Sequence, residues 1–179
     1  MVILGVDPGT LVTGYGIIES RNGKVKMLAC GSVNNTGKQS MPIRLQNIFH
    51  TLDKVIRKYK PDEFAIETAF YGKNAQSALK LGHARGVAML AAVQKQVPTS
   101  EYSPREVKKA IVGNGTASKE QVQYMVQSLL QLKEHPKFYD ITDALAVAIC
   151  HMHRIGNGEK KFTSWKSYLA SHPEKLSHR

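Results

Sequence analysis

Short apolar blocks open the chain, and helical spacing replaces them further along. Val2 to Val6 reads as a strand, Gly14 to Glu19 as a second and Val25 to Val33 as a third. Asn22-Gly23, between the last two, supplies the chemistry of a two-residue hairpin turn. The opening is therefore an antiparallel meander. Ile43, Leu45, Ile48, Leu52, Val55, Ile56 and Tyr59 then recur at helical spacing until Pro61 stops them. Phe64, Ala65 and Ile66 form a short strand ending at Glu67, and Ala75 to Gln96 follows as a second long helix. A strand reached through a helical crossover lies parallel to its sheet partner. Val97 to Tyr102 reads as a fifth strand. Ser103, Pro104 and Glu106 combine a capping box with proline at the first helical position, and a similar start recurs at Ser118 with Gln121. The last strong helix begins at Asp140 and runs through Ala144, Leu145, Val147, Ala148 and Ile149 toward His153. This order predicts an α/β domain over residues 1–155, a mixed five-stranded sheet (antiparallel meander plus parallel strands) flanked by helices. Residues 156–179 lose the apolar period, become basic and read as a frayed or weakly docked tail.

At 179 residues the chain can bury a core without disulfides or structural metal. Cys30 and Cys150 sit in unrelated contexts with no CxxC spacing, which points to reduced thiols in a cytoplasmic protein rather than a zinc site. Apolar runs fall short of the roughly 18 residues of a membrane span, and the N-terminus lacks signal-peptide flanks, so neither export nor membrane insertion is expected. The formal net charge of +11 changes the picture more, because it points to a polyanionic partner, most often nucleic acid.

Four carboxylates then stand out. Asp7 and Glu67 each end an apolar run, and if those strands are parallel neighbours both emerge at the sheet edge that open α/β folds use for ligands. Asp140 and Asp143, in "DITDALAVAICH", are spaced i, i+3 and share one helix face. Each has an ordinary reading: an Asp-Pro-Gly turn for Asp7, a strand-end solvent residue for Glu67, a helix cap or dipole partner for Asp140 and Asp143. Gathered together they would repel one another and shift upward in pKa unless cations neutralised them. All-oxygen ligands suit Mg²⁺ or Mn²⁺. A pair of such ions about 4 Å apart supports phosphodiester hydrolysis.

At this point "GVDPGTLVTGYGII", "FAIETAFYGKNAQSALKLGHARGV", "REVKKAIVGNGTASKEQVQ" and "DITDALAVAICH" closely resemble the RuvC family of bacterial Holliday junction resolvases. The resemblance covers roughly residues 1–155, with the motifs in the family's order and spacing. It implies an RNase H-like fold, a homodimer, and symmetric Mg²⁺-dependent nicking of two opposing strands of four-way junction DNA, with two ions per site during catalysis and Mn²⁺ as a substitute. It also implies a branch-migration motor of the RuvA–RuvB type as partner. By position, Asp7, Glu67, Asp140 and Asp143 match the family's acidic metal site. Some members carry histidine where this chain has Asp140.

Further residues fit contacts to DNA. Phe70 and Tyr71 precede Lys73 and Asn74 in a loop entering the second long helix, and the resemblance assigns Phe70 to stacking on bases opened at the junction. A core-packing phenylalanine is the ordinary alternative. Lys108 and Lys109 precede "VGNGTASKEQ", where Gly113 and Gly115 allow close approach to a phosphate and Lys119 enters a helix start, a usual anion site. The resemblance puts Lys108 and Lys119 around the active site, Lys119 as a catalytic cation that neutralises the scissile phosphate. Lys80, Arg85 and Arg105 would add phosphate contacts. Gly82 and Gly86, with apolar neighbours, permit close helix packing, either onto the sheet or in a dimer. His151 and His153 read as structural or surface residues.

Three rivals remain. "GVDPGT" also resembles the phosphate hairpin of actin-like ATPases and sugar kinases, a fold that needs a second such domain. A junction-binding module without catalysis and an RNase H-like nuclease with another substrate are the others.

Overall fold

The computed structural model describes residues 1–68, 75–132 and 139–156. Strands β1 (Val2–Asp7), β2 (Val12–Arg21) and β3 (Lys24–Asn34) form the meander. They are followed by α1 (Met41–Tyr59), β4 (Glu63–Glu67), α2 (Ala75–Val93), β5 (Thr99–Tyr102), α3 (Pro104–Val112), α4 (Lys119–Leu130) and α5 (Tyr139–Gly156). The sheet order is β3-β2-β1-β4-β5. β1 pairs antiparallel with β2 and β2 with β3, whereas β1 with β4 and β4 with β5 are parallel. The sheet is thus mixed and RNase H-like, as expected.

Side chains alternate across each strand, and the two faces bury two cores. Leu4, Val6, Phe64 and Ile66 face Ile48, Leu52 and Ile56 of α1 and Ala84, Ala88 and Ala91 of α2. Ile3 and Ala65 face the other way, onto Val107 of α3, Val126 of α4 and Leu145 and Ile149 of α5. Glycines let α5 lie directly on that second face. A Cβ on Gly5 would stand 2.2 Å from the Ala144 carbonyl oxygen, and one on Gly14 would stand 2.0 Å from that of Asp140. Helix backbone therefore touches sheet backbone at the end of α5 that carries its two aspartates.

The strands and helices depart from expectation mainly at their ends. β2 and β3 extend to Arg21 and Lys24 because Asn22 (φ 52°) and Gly23 (φ 74°) close the hairpin with both turn residues left-handed. α2 stops at Val93 rather than Gln96. Gln96 is left-handed (φ 57°), and the Val97 N–H donates back to the Ala92 carbonyl at 3.1 Å, which caps the helix. β5 then begins only at Thr99, past Pro98, whose carbonyl accepts from Phe64 N at 2.8 Å. Both anticipated capping boxes are present, at Ser103 with Glu106 and at Ser118 with Gln121.

Alanines, not the glycines, carry α2 onto the sheet. A Cβ on Gly82 or Gly86 would meet nothing within 4 Å, and Leu79, Leu90 and Val93 are 65%, 49% and 56% exposed on the same helix. Among the described residues, no helix is long and apolar enough to cross a membrane. Phe70, Tyr71, Lys73 and Asn74, and the tail from 157 onward, lie outside the described residues.

Candidate active site

Strand parity brings the first two carboxylates together. Val6 pairs with Ile66 in the parallel β1/β4 ladder, and Asp7 and Glu67 are the next residue of each strand. Asp7 shares its face with Ile3 and Gly5, and Glu67 shares its face with Ala65, so both project toward α5. α5 supplies Asp143 from its first turns. Asp7, Glu67 and Asp143 line one cleft of about 280 Å³ together with Lys108 of α3 and Lys119 of α4, and Pro104, Val107 and Val122 form its apolar wall. Asp140 does not line that cleft. It lies one turn earlier, against Gly14, whose strand partner is Asp7, and its charge still reaches Asp7.

The electrostatics are those of crowded anions in a partly dry cleft. Burial first, then the charges of Asp143 and Asp140, push Asp7 up to about 7, with Lys119 opposing. Burial, Asp7 and Asp143 push Glu67 up to about 8, against Lys119 and Lys108. The Lys119 ammonium donates to Asp143 Oδ2 at 3.1 Å. Burial pulls Lys119 down, but its hydrogen bond to Asp143 and the surrounding carboxylates leave it raised on balance.

Among the described residues the carboxylates do not close into a preformed cluster of metal ligands. Their chemistry nevertheless fits a hard cation, since the donors are all carboxylate oxygens and their mutual repulsion is the strain that a divalent charge relieves.

Raised carboxyl pKa values favour the fold while the groups are protonated, fully so below the unfolded values of 3.8 and 4.5, and that contribution is lost as pH rises through about 7 and 8. Glu106, held low mainly by the Ser103 backbone, acts only on the acid side. In EDTA, urea denaturation should show stability falling from about pH 5 to pH 8. A rise across that window would contradict the clustering of Asp7 and Glu67.

The remaining anticipated residues divide. Lys80 and Arg105 are exposed, and the stem of Arg105 covers Gly115. The Arg85 guanidinium is partly exposed and is hydrogen-bonded to Glu101 of β5. The start of α4 is also less open to phosphate than its sequence suggests. Ser118 Oγ accepts from Gln121 N, and Gln121 Oε1 accepts from Ser118 N, which takes up two of the backbone donors there. The apolar wall of Val107 and Val122 escaped sequence reading, since nothing local distinguishes these positions from core.

The family model described as crossover junction endodeoxyribonuclease RuvC matches residues 3–151. A crossover junction endodeoxyribonuclease RuvC from Salinibacter ruber is 42% identical over 178 residues, 99% of both chains. The Thermus thermophilus RuvC structure superposes with a TM-score of 0.81 at 33% identity, covering 88% of this chain and 97% of that one. The structure of T. thermophilus RuvC in complex with Holliday junction substrate matches with the same TM-score, at 30% identity and the same coverage. Sequence over nearly the whole length and fold agree, and the chain belongs to the RuvC family of crossover junction endodeoxyribonucleases.

Proposed function

We propose that this enzyme resolves four-way DNA junctions by nicking two opposing strands symmetrically, leaving 5′-phosphate and 3′-hydroxyl ends that a ligase can seal. The observation that carries the reading is the single cleft holding Asp7, Glu67 and Asp143 beside Lys108 and Lys119. Its substrate follows from family membership, a solved relative bound to a Holliday junction, and a net charge of +11. Incubation of purified protein with a synthetic four-way junction tests it.

Family membership carries a divalent-metal requirement. Asp7, Glu67, Asp140 and Asp143 would hold Mg²⁺, or Mn²⁺ in its place, two ions per site during the reaction. When bound, such ions supply Lewis-acid stabilisation of the phosphoryl charge and lower the pKa of water. The chain's own groups do the rest. Water attacks phosphorus in line, its oxygen forms the new P–O bond, and the 3′ oxygen departs to become the hydroxyl. Lys119 and Lys108 stand where negative charge grows on the phosphate, in a cleft whose apolar wall strengthens their field. Replacing Lys119 by methionine should slow single-turnover cleavage by about 10²–10³-fold while leaving junction affinity within a few-fold. Cleavage at the wild-type rate would remove Lys119 from the chemistry.

Phe70 would stack on bases at the junction centre, with Tyr71, Lys73 and Asn74 beside it, and Lys80, Arg85 and Arg105 would bind phosphates. The nuclease domain comprises residues 1–155, followed by the basic tail 156–179. A homodimer matches the two-fold substrate, one site to each nicked strand. In support, Leu79, Gly82, Gly86, Leu90 and Val93 follow one another at spacings of three and four on α2 and are all exposed in the protomer. Leu79→Glu with Leu90→Glu should leave the protomer folded, convert dimer to monomer in sedimentation and abolish paired nicking. Persistence of the dimer would place the interface elsewhere. The enzyme would act in the cytoplasm with a branch-migration motor of the RuvA–RuvB type.

A further inference from the structure

Behind the cleft, a buried polar chain crosses the α5 face of the sheet. His151 is fully buried in the middle of an apolar helix. Its Nδ1 lies 2.6 Å from the Tyr102 hydroxyl, and its Nε2 lies 3.4 Å from Glu63 Oε2 at the start of β4. Burial, the largest influence, holds the Tyr102 phenol up at about 12, so it remains neutral. The ring is fixed on its other sides too. His151 meets it edge-on at 5.6 Å, and the Arg154 guanidinium lies 5.4 Å over it while binding Glu106 of α3.

What Tyr102 holds in turn is the end of β4. Glu67 pairs with Tyr102 in the β4/β5 ladder. The next residue, Thr68, sends both its donors to the Tyr102 carbonyl, N–H at 2.7 Å and Oγ1–H at 3.3 Å. The residue after Tyr102 is Ser103, the N-cap of the helix that carries Lys108. One residue thus fixes the backbone beside both Glu67 and the start of α3. Burying a histidine and a tyrosine hydroxyl costs free energy unless they satisfy each other. Apolar packing alone would not need either polar atom.

We propose that Tyr102 and His151 are positioning residues, which set the Glu67 carboxylate for metal binding by locking the β4–β5 strand ends through the Thr68–Tyr102 and Tyr102–His151 hydrogen bonds. The inference rests on the reading of Glu67 as a metal ligand. Residues that orient ligands from behind change metal affinity or activity by about 10–100-fold.

The test uses the full-length protein and Tyr102→Phe, which removes one oxygen. Binding of Mn²⁺ alone is followed by electron paramagnetic resonance below the melting temperature of each variant, and junction cleavage is split into kcat and KM. About tenfold weaker Mn²⁺ binding and about tenfold lower kcat, with KM for the junction unchanged, is the expected result. A lower melting temperature with wild-type Mn²⁺ affinity and kcat would overturn the proposal, because that is what packing alone would give. Should Tyr102→Phe fail to fold, Thr68→Val decides. It deletes only the hydroxyl bond to the Tyr102 carbonyl and should weaken Mn²⁺ binding by a few-fold, and wild-type affinity there would overturn the proposal. If the wild type itself bound no Mn²⁺, the metal-site reading would fall and this inference with it. Wild-type binding with unaltered variants sinks this inference alone.

Discussion

Asp7→Asn should reduce junction cleavage by at least about 10³-fold while junction binding persists and the metal-free protein becomes more stable. Asparagine matches the shape of aspartate, so β1 and its pairing with Gly14 are undisturbed. What changes is charge. Asp7 is held up at about 7 first by burial and then by Asp143 and Asp140, so near pH 8 the ionised group is forced into a dry, repulsive cleft. Removing it should stabilise the metal-free protein by about 1–3 kcal/mol at pH 8, since each pKa unit corresponds to about 1.4 kcal/mol and part of the repulsion relaxes. Cation-assisted hydrolysis loses a ligand at the same stroke, which accounts for the loss of rate. Affinity for the junction rests mainly on lysine and arginine contacts to phosphate, which the substitution spares. Thermal melts in EDTA, gel-shift titration and single-turnover cleavage read the three effects separately. An Asp7→Asn enzyme that cleaves normally would reduce Asp7 to a turn residue.

Gly5→Val should cost about 3 kcal/mol or more and lower the melting temperature by about 6–12 °C. A Cβ there would stand 2.2 Å from the Ala144 carbonyl oxygen, 2.7 Å from Ala148 N and 2.8 Å from Ala148 Cβ. None of these is the end of a flexible side chain, so α5 itself must move off the sheet. The displacement also carries Asp143 away from Asp7 and Glu67, and cleavage should fall with stability. Gly37→Ala is the control, because a Cβ on Gly37 meets nothing within 4 Å. Equal melting temperatures for the two variants would show that α5 does not rest on β1 as described.

The acidic site was legible because it depends on local rules that add up. Asp7 and Glu67 end apolar strands, and the helical crossover between them implied parallel neighbours; alternation then sent both side chains to one face. Asp140 and Asp143 declared themselves by helical spacing. Less legible was everything decided by docking between distant segments. Gly5, Gly14 and Gly16 mark the track of α5, and alternate glycines in "TGYGII" are the trace it leaves, yet glycine also signals turns and bulges. The pairing of Arg85 with Glu101, sixteen residues away on β5, leaves no local sign in the sequence. At the start of α4 the capping box that the sequence announces also takes up two backbone donors of the anion site it suggests. His151 read as a structural or surface residue and Tyr102 only as the end of a strand, and the fold joins them through one hydrogen bond.

The most direct test maps strand breaks at nucleotide resolution on a synthetic four-way junction, with and without Mg²⁺. Paired nicks in opposing strands, symmetric about the crossover, dependent on Mg²⁺ and sealed by ligase are the expected result. Tight junction binding with no cleavage in Mg²⁺ or Mn²⁺ over varied core sequences would contradict the assignment of the cleft of Asp7, Glu67 and Asp143 as the nuclease site.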